Sequence, residues 1–221
     1  MSDTEKRRVA ILISGRGSNM TALIEAAKAQ GFPAEIALVV SNKADAGGLK
    51  IAAQHGITTT VIESRPFGTD REAFERALQD KLTASRIDLV CLAGFLRLLT
   101  PWFVKQWEGR MLNIHPALLP AYRGLHTHER ALADGVKIHG ATVHFVVPEM
   151  DAGPIVMQGA VAVRADDTVE TLAARVLAVE HQIYPDALRL VASGGVRIEN
   201  GVCRTRATGP ADDRLISPAV I

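Results

Sequence analysis

A doubly wound α/β fold with a mostly parallel sheet is what this chain predicts, on three observations. Short apolar runs alternate with amphipathic stretches between Val9 and Ala93, the pattern of strands and crossover helices. The first apolar run ends in Ser14-Gly15-Arg16-Gly17 and leads straight into a helical pattern. The run Arg110 to His115 ends in two polar side chains, Asn113 and His115, before Pro116. Alternation along a strand puts those two on one face, and Pro116 cannot extend the ladder. A carboxamide and an imidazole at the carboxyl end of a buried strand stand where open α/β sheets bind ligands.

Each element follows from its residues. Val9–Ile13, Ile36–Val40, the β-branched run Thr58–Ile62 and Ile87–Ala93 read as strands. Between them, Asn19–Gln30, Ala46–His55 (closed by Gly56) and Asp70–Ser85 read as helices. Leu23, Ile24 and Ala27 share a face of the first; Phe74, Leu78 and Leu82 share a face of the third. The order then changes. Arg110–His115 is a strand, Thr127–Ala133 a short helix, Gly140–Val147 a strand and Ile155–Val163 another, after a tight turn over Asp151-Ala152-Gly153-Pro154. Antiparallel pairing is therefore expected in this C-terminal part. Thr168–Ala192 is a long helix with Leu172, Val176, Val179 and Ile183 in register, and Val196–Arg204 is a hairpin about Asn200-Gly201. One domain is expected over residues 1–204, followed by an irregular tail over 205–221.

Composition narrows the classes of function. Of the 221 residues, 48% are hydrophobic and 22% charged, and the net charge is +1. That leaves no basic footprint for nucleic acid, and no apolar stretch approaches a membrane span. The charged start, Met1 to Arg8, has no signal-peptide core, so a cytoplasmic protein is expected. Cys91 lies inside an apolar run and reads as a buried small hydrophobe; with Cys203 it forms no disulfide framework.

Gly15 and Gly17 would let the backbone approach a ligand, and the helix that follows would offer free N–H groups to an anion. Phosphate is the functional reading of this turn. A tight turn capped by Ser18 or Asn19 is the plainer one, and the two are compatible. A dinucleotide fingerprint would need a third glycine where Met20 stands, and a Walker loop would need a Gly-Lys-Ser/Thr. Neither is present, so a monophosphate on a small substrate is expected. Arg16 is a cation beside this turn, suited to an anion or to solvent.

A lone buried histidine is more often structural than catalytic. Asn113 on the same face favours a reactive role for His115, because an amide N–H can stabilise an oxyanion. Asp151 adds a carboxylate that would orient an imidazole, although acidic residues before a Gly-Pro turn are often turn formers.

Six segments carry a family likeness: Leu12 to Asn19, Ser41 to Asp45, Ala93 to Arg97, Leu112 to Pro120, Gly124 to His128 and His139 to Phe145. In these, from about Val9 to Pro185, the chain resembles the phosphoribosylglycinamide formyltransferases, folate-dependent enzymes of purine biosynthesis. The resemblance implies a Rossmann-like formyltransferase fold with a phosphate-binding N-terminal half and a folate-binding C-terminal half. It implies 10-formyltetrahydrofolate as donor and the amine of 5-phosphoribosylglycinamide as acceptor, joined by direct attack through a tetrahedral intermediate without a metal. Asn113, His115 and Asp151 match its catalytic residues. Gly17, Ser18 and Asn19 match its phosphate turn, and Glu180 a contact to the acceptor's ribose or glycinamide end. Arg71, Leu96, Arg97, Leu98 and Leu99 match folate-side contacts, and Val147, Pro148, Glu149, Met150 and Asp151 the loop over the pterin. Pro148 departs from that loop's pattern by restricting the backbone. The tail beyond Ala192 matches poorly. A monomer or homodimer is expected.

Three other readings are weighed. His126-x-His128 is a weak metal site without acidic or cysteine partners. Formyltetrahydrofolate hydrolase and methionyl-tRNA formyltransferase share the Asn, His and Asp pattern; the first is expected to carry an N-terminal regulatory domain, the second a basic C-terminal one. A phosphoribosyl-binding module would make the Asn113, His115 and Asp151 set incidental.

Overall fold

The computed structural model describes residues 6–205 and Ile216–Ser217. Two compact units divide between Leu112 and Asn113.

The first unit is the doubly wound part. Strands β1 (Arg7–Ile13), β2 (Ala34–Ser41), β3 (Thr59–Val61) and β4 (Leu89–Leu92) lie in the order β4-β1-β2-β3, and the pairs described are all parallel. Val9 to Ile13 are fully buried, because parallel strands are covered on both faces by crossover helices. Those helices are α1 (Ser18–Ala27), α2 (Gly47–Gln54) and α3 (Arg71–Ala84). The chain runs outward from β1 to β3, then returns to the other side of β1 to form β4. The direction of winding reverses between β1 and β4, and ligands bind beyond strand carboxyl ends at such a point. There the two following segments meet: Ser14 N donates to Gly94 O at 3.1 Å and Leu96 N to Ser14 Oγ at 2.9 Å.

A helix that the apolar pattern does not reveal, α4 (Pro101–Gln106), follows β4. Its sequence signal is Thr100-Pro101, an N-cap followed by proline at the first helical position. Glu75 of α3 is almost fully buried and accepts from both Thr100 N, at 2.7 Å, and Thr100 Oγ1. That carboxylate ties the start of α4 to α3.

The second unit carries the antiparallel pairs. Its strands are ordered β5-β6-β7-β10, where β5 is Met111–His115, β6 Ile138–Phe145, β7 Ile155–Ala162 and β10 Ile216–Ser217. β7 pairs antiparallel with both β6 and β10. Helix α5 spans Thr127–Ala133, and α6, Val169–Ala192, lies against β6 and β7. Gly159 permits that close approach, since a Cβ there would stand 2.2 Å from Val179 Cγ1. Strands β8 (Val196–Glu199) and β9 (Val202–Thr205) form the expected hairpin, with Asn200 and Gly201 both at positive φ as a type I′ turn requires.

Two expectations are corrected. β6 ends at Phe145, not Val147, and the connection to β7 is the longer loop 146–154 rather than a tight turn. Pro148 has no N–H for a ladder, and the last rung is Phe145 N to Pro154 O at 2.9 Å. Neither Ser18 nor Asn19 caps α1: the capping residue is Gly17, at φ 76 and with no side-chain bond. Of the tail expected to be irregular, residues 206–215 and 218–221 lie outside the described residues, and Ile216–Ser217 form β10. Among the described residues no helix is long and apolar enough to cross a membrane.

Candidate active site

Asn113 and His115 leave β5 on one face, as the alternation requires. The second unit brings Asp151 to them. His115 Nδ1 lies 3.4 Å from Asp151 Oδ2. The other ring nitrogen, Nε2, lies 2.9 Å from the Tyr122 carbonyl oxygen. A carbonyl only accepts, so Nε2 carries the hydrogen and Nδ1 is the nitrogen left for chemistry. At 3.4 Å the Nδ1–Asp151 contact is longer than a formed hydrogen bond, so an oxygen of a bound molecule can share or replace it. The imidazole is buried and the carboxylate nearly so, with side-chain exposures of 6% and 12%.

Asp151 is held in turn. Gly124 N donates to its Oδ2 at 2.9 Å. Its backbone sits at φ 51, in the left-handed region that Asp tolerates better than most residues. Gly153, two residues on, can only be glycine at this spacing: a Cβ would stand 1.7 Å from Phe145 O. The loop is thereby drawn against the end of β6, and the carboxylate is set toward His115.

A fourth side chain completes the cluster. His144 of β6 lies 3.8 Å from Asp151 Oδ1 through Nε2, and the same nitrogen is 3.2 Å from Asn113 Nδ2. Its Nδ1 donates to Phe145 O at 2.9 Å. Burial pushes this imidazole below its ordinary range, against the pull of the Phe145 carbonyl and Asp151. It is the neutral Nδ1–H tautomer, so its Nε2 accepts from the amide of Asn113. The sequence reading did not place His144 in the site. The signal was there: Thr142 and His144 are polar at alternate positions along the apolar half of the strand.

This constellation suits acyl transfer without a covalent intermediate. It offers an amide N–H for an oxyanion, an imidazole with one nitrogen free and a carboxylate to orient it. Residues 7–188 match the family model described as formyl transferase. The chain belongs to the formyl transferase family.

Among its relatives, phosphoribosylglycinamide formyltransferase of Escherichia coli (strain K12) is 45% identical over 190 residues, covering 86% of this chain and 89% of that protein. The trifunctional purine biosynthetic protein adenosine-3 of Bos taurus is 50% identical over 198 residues, covering 89% of this chain and 20% of that protein. The formyl transferase chain thus spans about a fifth of that relative's length. The solved structure of phosphoribosylglycinamide formyltransferase from Brucella melitensis is 54% identical, with a TM-score of 0.82 over 86% of this chain and 97% of that one.

The remaining expected site residues of the formyl transferase chain fall in both units. In the first, Gly17 opens α1, followed by Ser18 and the buried Asn19. Gly48 N donates to Gly15 O at 3.0 Å, and a Cβ on Gly48 would stand 2.7 Å from Ile13 Cδ1. The start of α2 therefore abuts the glycine turn, which the sequence reading had not assigned. Arg71 is exposed at the start of α3. Leu96 and Leu98 are 73% and 63% exposed, so core packing is not what holds them there. Arg97 lies over the Phe74 ring at 4.9 Å, and Leu99 is half-buried. In the second unit, Val147 is half-buried, and Pro148, Glu149 and Met150 are exposed. Glu180 is buried on α6, which excludes a solvated helix carboxylate. His126 and His128 do not converge: His126 Nδ1 lies 3.3 Å from Glu129 and His128 Nδ1 lies 3.2 Å from His139 Nε2. Among the described residues no group of three or more His, Cys, Asp or Glu could hold a metal ion.

Proposed function

We propose that this chain transfers a formyl group from 10-formyltetrahydrofolate to the amine of 5-phosphoribosylglycinamide, in purine biosynthesis. The observation that carries the reading is the convergence of Asn113, His115 and Asp151 in one partly buried cluster, in a chain 45% identical to a phosphoribosylglycinamide formyltransferase over most of both lengths.

The amine attacks the formyl carbon, and the formyl oxygen takes up negative charge. Asn113 has one amide hydrogen on His144 and a second to give that oxygen. His115, protonated at Nδ1, donates to the same oxygen or passes a proton toward the departing folate nitrogen. Asp151, 3.4 Å from that nitrogen, orients the ring. As the intermediate collapses, the carbon–nitrogen bond to folate breaks, and the proton lost by the attacking amine is balanced by one gained at the leaving nitrogen.

Gly17, Ser18 and Asn19 are assigned to the acceptor's phosphate, because they form the start of α1, which opens at Gly17 without a side-chain cap, and a helix N-terminus favours an anion. Glu180 is assigned to the ribose or glycinamide end. Arg71, Leu96, Arg97, Leu98 and Leu99, with Val147 to Asp151, are assigned to the folate; the exposure of Leu96 and Leu98 in the first unit, and of Met150 in the second, leaves apolar side chains to meet a flat ring. The reading carries with it one functional domain over residues 1–204 and a cytoplasmic location.

The test is to follow deformylation of 10-formyltetrahydrofolate spectrophotometrically, with and without phosphoribosylglycinamide. Release that requires the acceptor supports the transferase. Release at the same rate without it would instead make this a hydrolase.

A further inference from the structure

Two histidines of the matched segments have no part in the mechanism above. His139 is buried in β6, and His128 is half-buried in the first turn of α5. Their nitrogens meet at 3.2 Å, and their rings stand edge to face, 5.3 Å apart.

His139 touches the residue whose backbone holds His115. The Tyr122 ring stands edge to face with His139 at 5.8 Å. The carbonyl of Tyr122 is the one that accepts from His115 Nε2. Tyr122 sits at φ 54, a left-handed conformation that a bulky residue adopts only when its surroundings impose it. The surroundings are specific: His139 on one side and the Arg130 guanidinium 5.3 Å from the ring centre. Arg130 Nη1 also donates to Arg123 O at 2.7 Å.

Of the two nitrogens that meet, one donates and the other accepts. Burial lowers both imidazoles from the ordinary histidine range, His139 to about 4, which keeps the pair neutral and this pattern intact.

We infer that His139, seated against His128, is a positioning residue for the reaction: it fixes Tyr122, and through the Tyr122 carbonyl decides that Nδ1 of His115 faces the reacting atoms. This rests on the reading of His115 given above. Without His139, the Tyr122 carbonyl is free to move, and His115 can turn over or tilt. A misplacement of about 1 Å in such a group costs on the order of 100-fold in rate.

The experiment uses the full chain, uniformly labelled with 15N-histidine, and four variants. His115→Ala identifies the His115 ring resonances by their loss. His139→Phe keeps a ring against Tyr122 and removes the hydrogen bond to His128. His139→Asn restores a polar group that can meet His128. His128→Ala removes only the partner. His139→Phe is expected to lower kcat tenfold or more, with KM for both substrates within threefold, and to shift the His115 Nε2 resonance; His139→Asn recovers part of each. Turnover within twofold of the native chain and an unmoved His115 resonance, with His115→Ala inactive, overturns the inference and leaves the role of His115 standing. So does a loss expressed in KM rather than kcat. Full activity of His115→Ala overturns the reading of His115 and this inference with it. Should His139→Phe fail to fold, His128→Ala decides: a threefold or greater loss of kcat at steady KM supports the inference, and native turnover overturns it.

Discussion

The amide nitrogen of Asn113 lies 3.2 Å from Nε2 of His144, and the direction of that bond is fixed from the far side of the imidazole. There Nδ1 donates to the Phe145 carbonyl at 2.9 Å, so Nε2 accepts and Asn113 donates. The amide is thereby held with its nitrogen, not its oxygen, toward the histidine. Its second hydrogen becomes the oxyanion donor. Asn113→Ala is expected to lower kcat by roughly 100- to 1,000-fold, the range for loss of one such donor. His144→Phe should lower it tenfold or more by letting the amide turn. Steady-state kinetics at saturating substrates reads both; native turnover in His144→Phe would show that the amide orients without it.

Asp151→Asn separates charge from shape. Asparagine tolerates the φ of 51 observed here and can still accept from Gly124 N. The loss is the negative charge 3.4 Å from His115 Nδ1. Turnover should fall 10-fold or more, with the thermal midpoint within about 2 °C of native, since no buried contact is emptied. A fall in both together would assign Asp151 to the fold rather than the reaction.

Gly153 is a steric requirement with a catalytic consequence. A methyl group at this position would overlap Phe145 O at 1.7 Å, so Gly153→Ala must push the 146–154 loop off the end of β6. Asp151 moves with it. The variant should lose turnover in step with Asp151→Asn and also lose stability, by about 1–3 kcal/mol, measured by urea unfolding.

Thr100 and Glu75 supply a test of the fold away from the chemistry. Thr100→Val removes the hydroxyl that donates to a buried carboxylate and accepts from Phe103 N at 3.4 Å. A destabilisation of about 1–3 kcal/mol is expected from the half-satisfied carboxylate and the lost cap. Per-molecule turnover of the folded fraction should stay native. Urea unfolding and active-site titration distinguish the two.

His139 also makes a prediction about stability and pH. Its imidazole is pushed down to about 4, first by burial, then by the charge of His128, against the Pro116 carbonyl and with a smaller push from His115. In the unfolded chain a histidine binds its proton near pH 6.5. Between those values the unfolded state holds a proton that the folded state does not, so stability falls as pH drops from about 6.5 to about 4 and this group adds nothing further below. His139→Phe should flatten that part of the stability curve, leaving the slope due to His128, which burial also lowers. An unchanged slope between pH 4 and 6.5 would mean that His139 is not held neutral.

Much of the first unit was legible in the sequence because its signals are local. The buried runs that became β1, β2 and β4 lie between glycine-rich or polar breaks, and a parallel sheet covered on both faces writes itself as continuous apolar segments. Asn200-Gly201 named its own hairpin through two positive φ values. Helix α4 was not legible, since six residues offer too little period to read and its one signal was the Thr100-Pro101 cap. The loop after β6 was read as too short, because Gly-Pro resembles a tight turn while Pro148 ends the ladder earlier.

For the site, the sequence by itself determined that Asn113 and His115 share a face, because alternation along one strand needs no tertiary knowledge. That Asp151 meets His115, that His144 turns the amide of Asn113, and which ring nitrogen each histidine presents were decided only by the tertiary structure. Each depends on contacts between residues well apart in sequence, from Asn113 to His144 and from His115 to Asp151. Hydrogen-bond direction in an imidazole is set by the partner on its other nitrogen, and that partner is known only once the chain has folded.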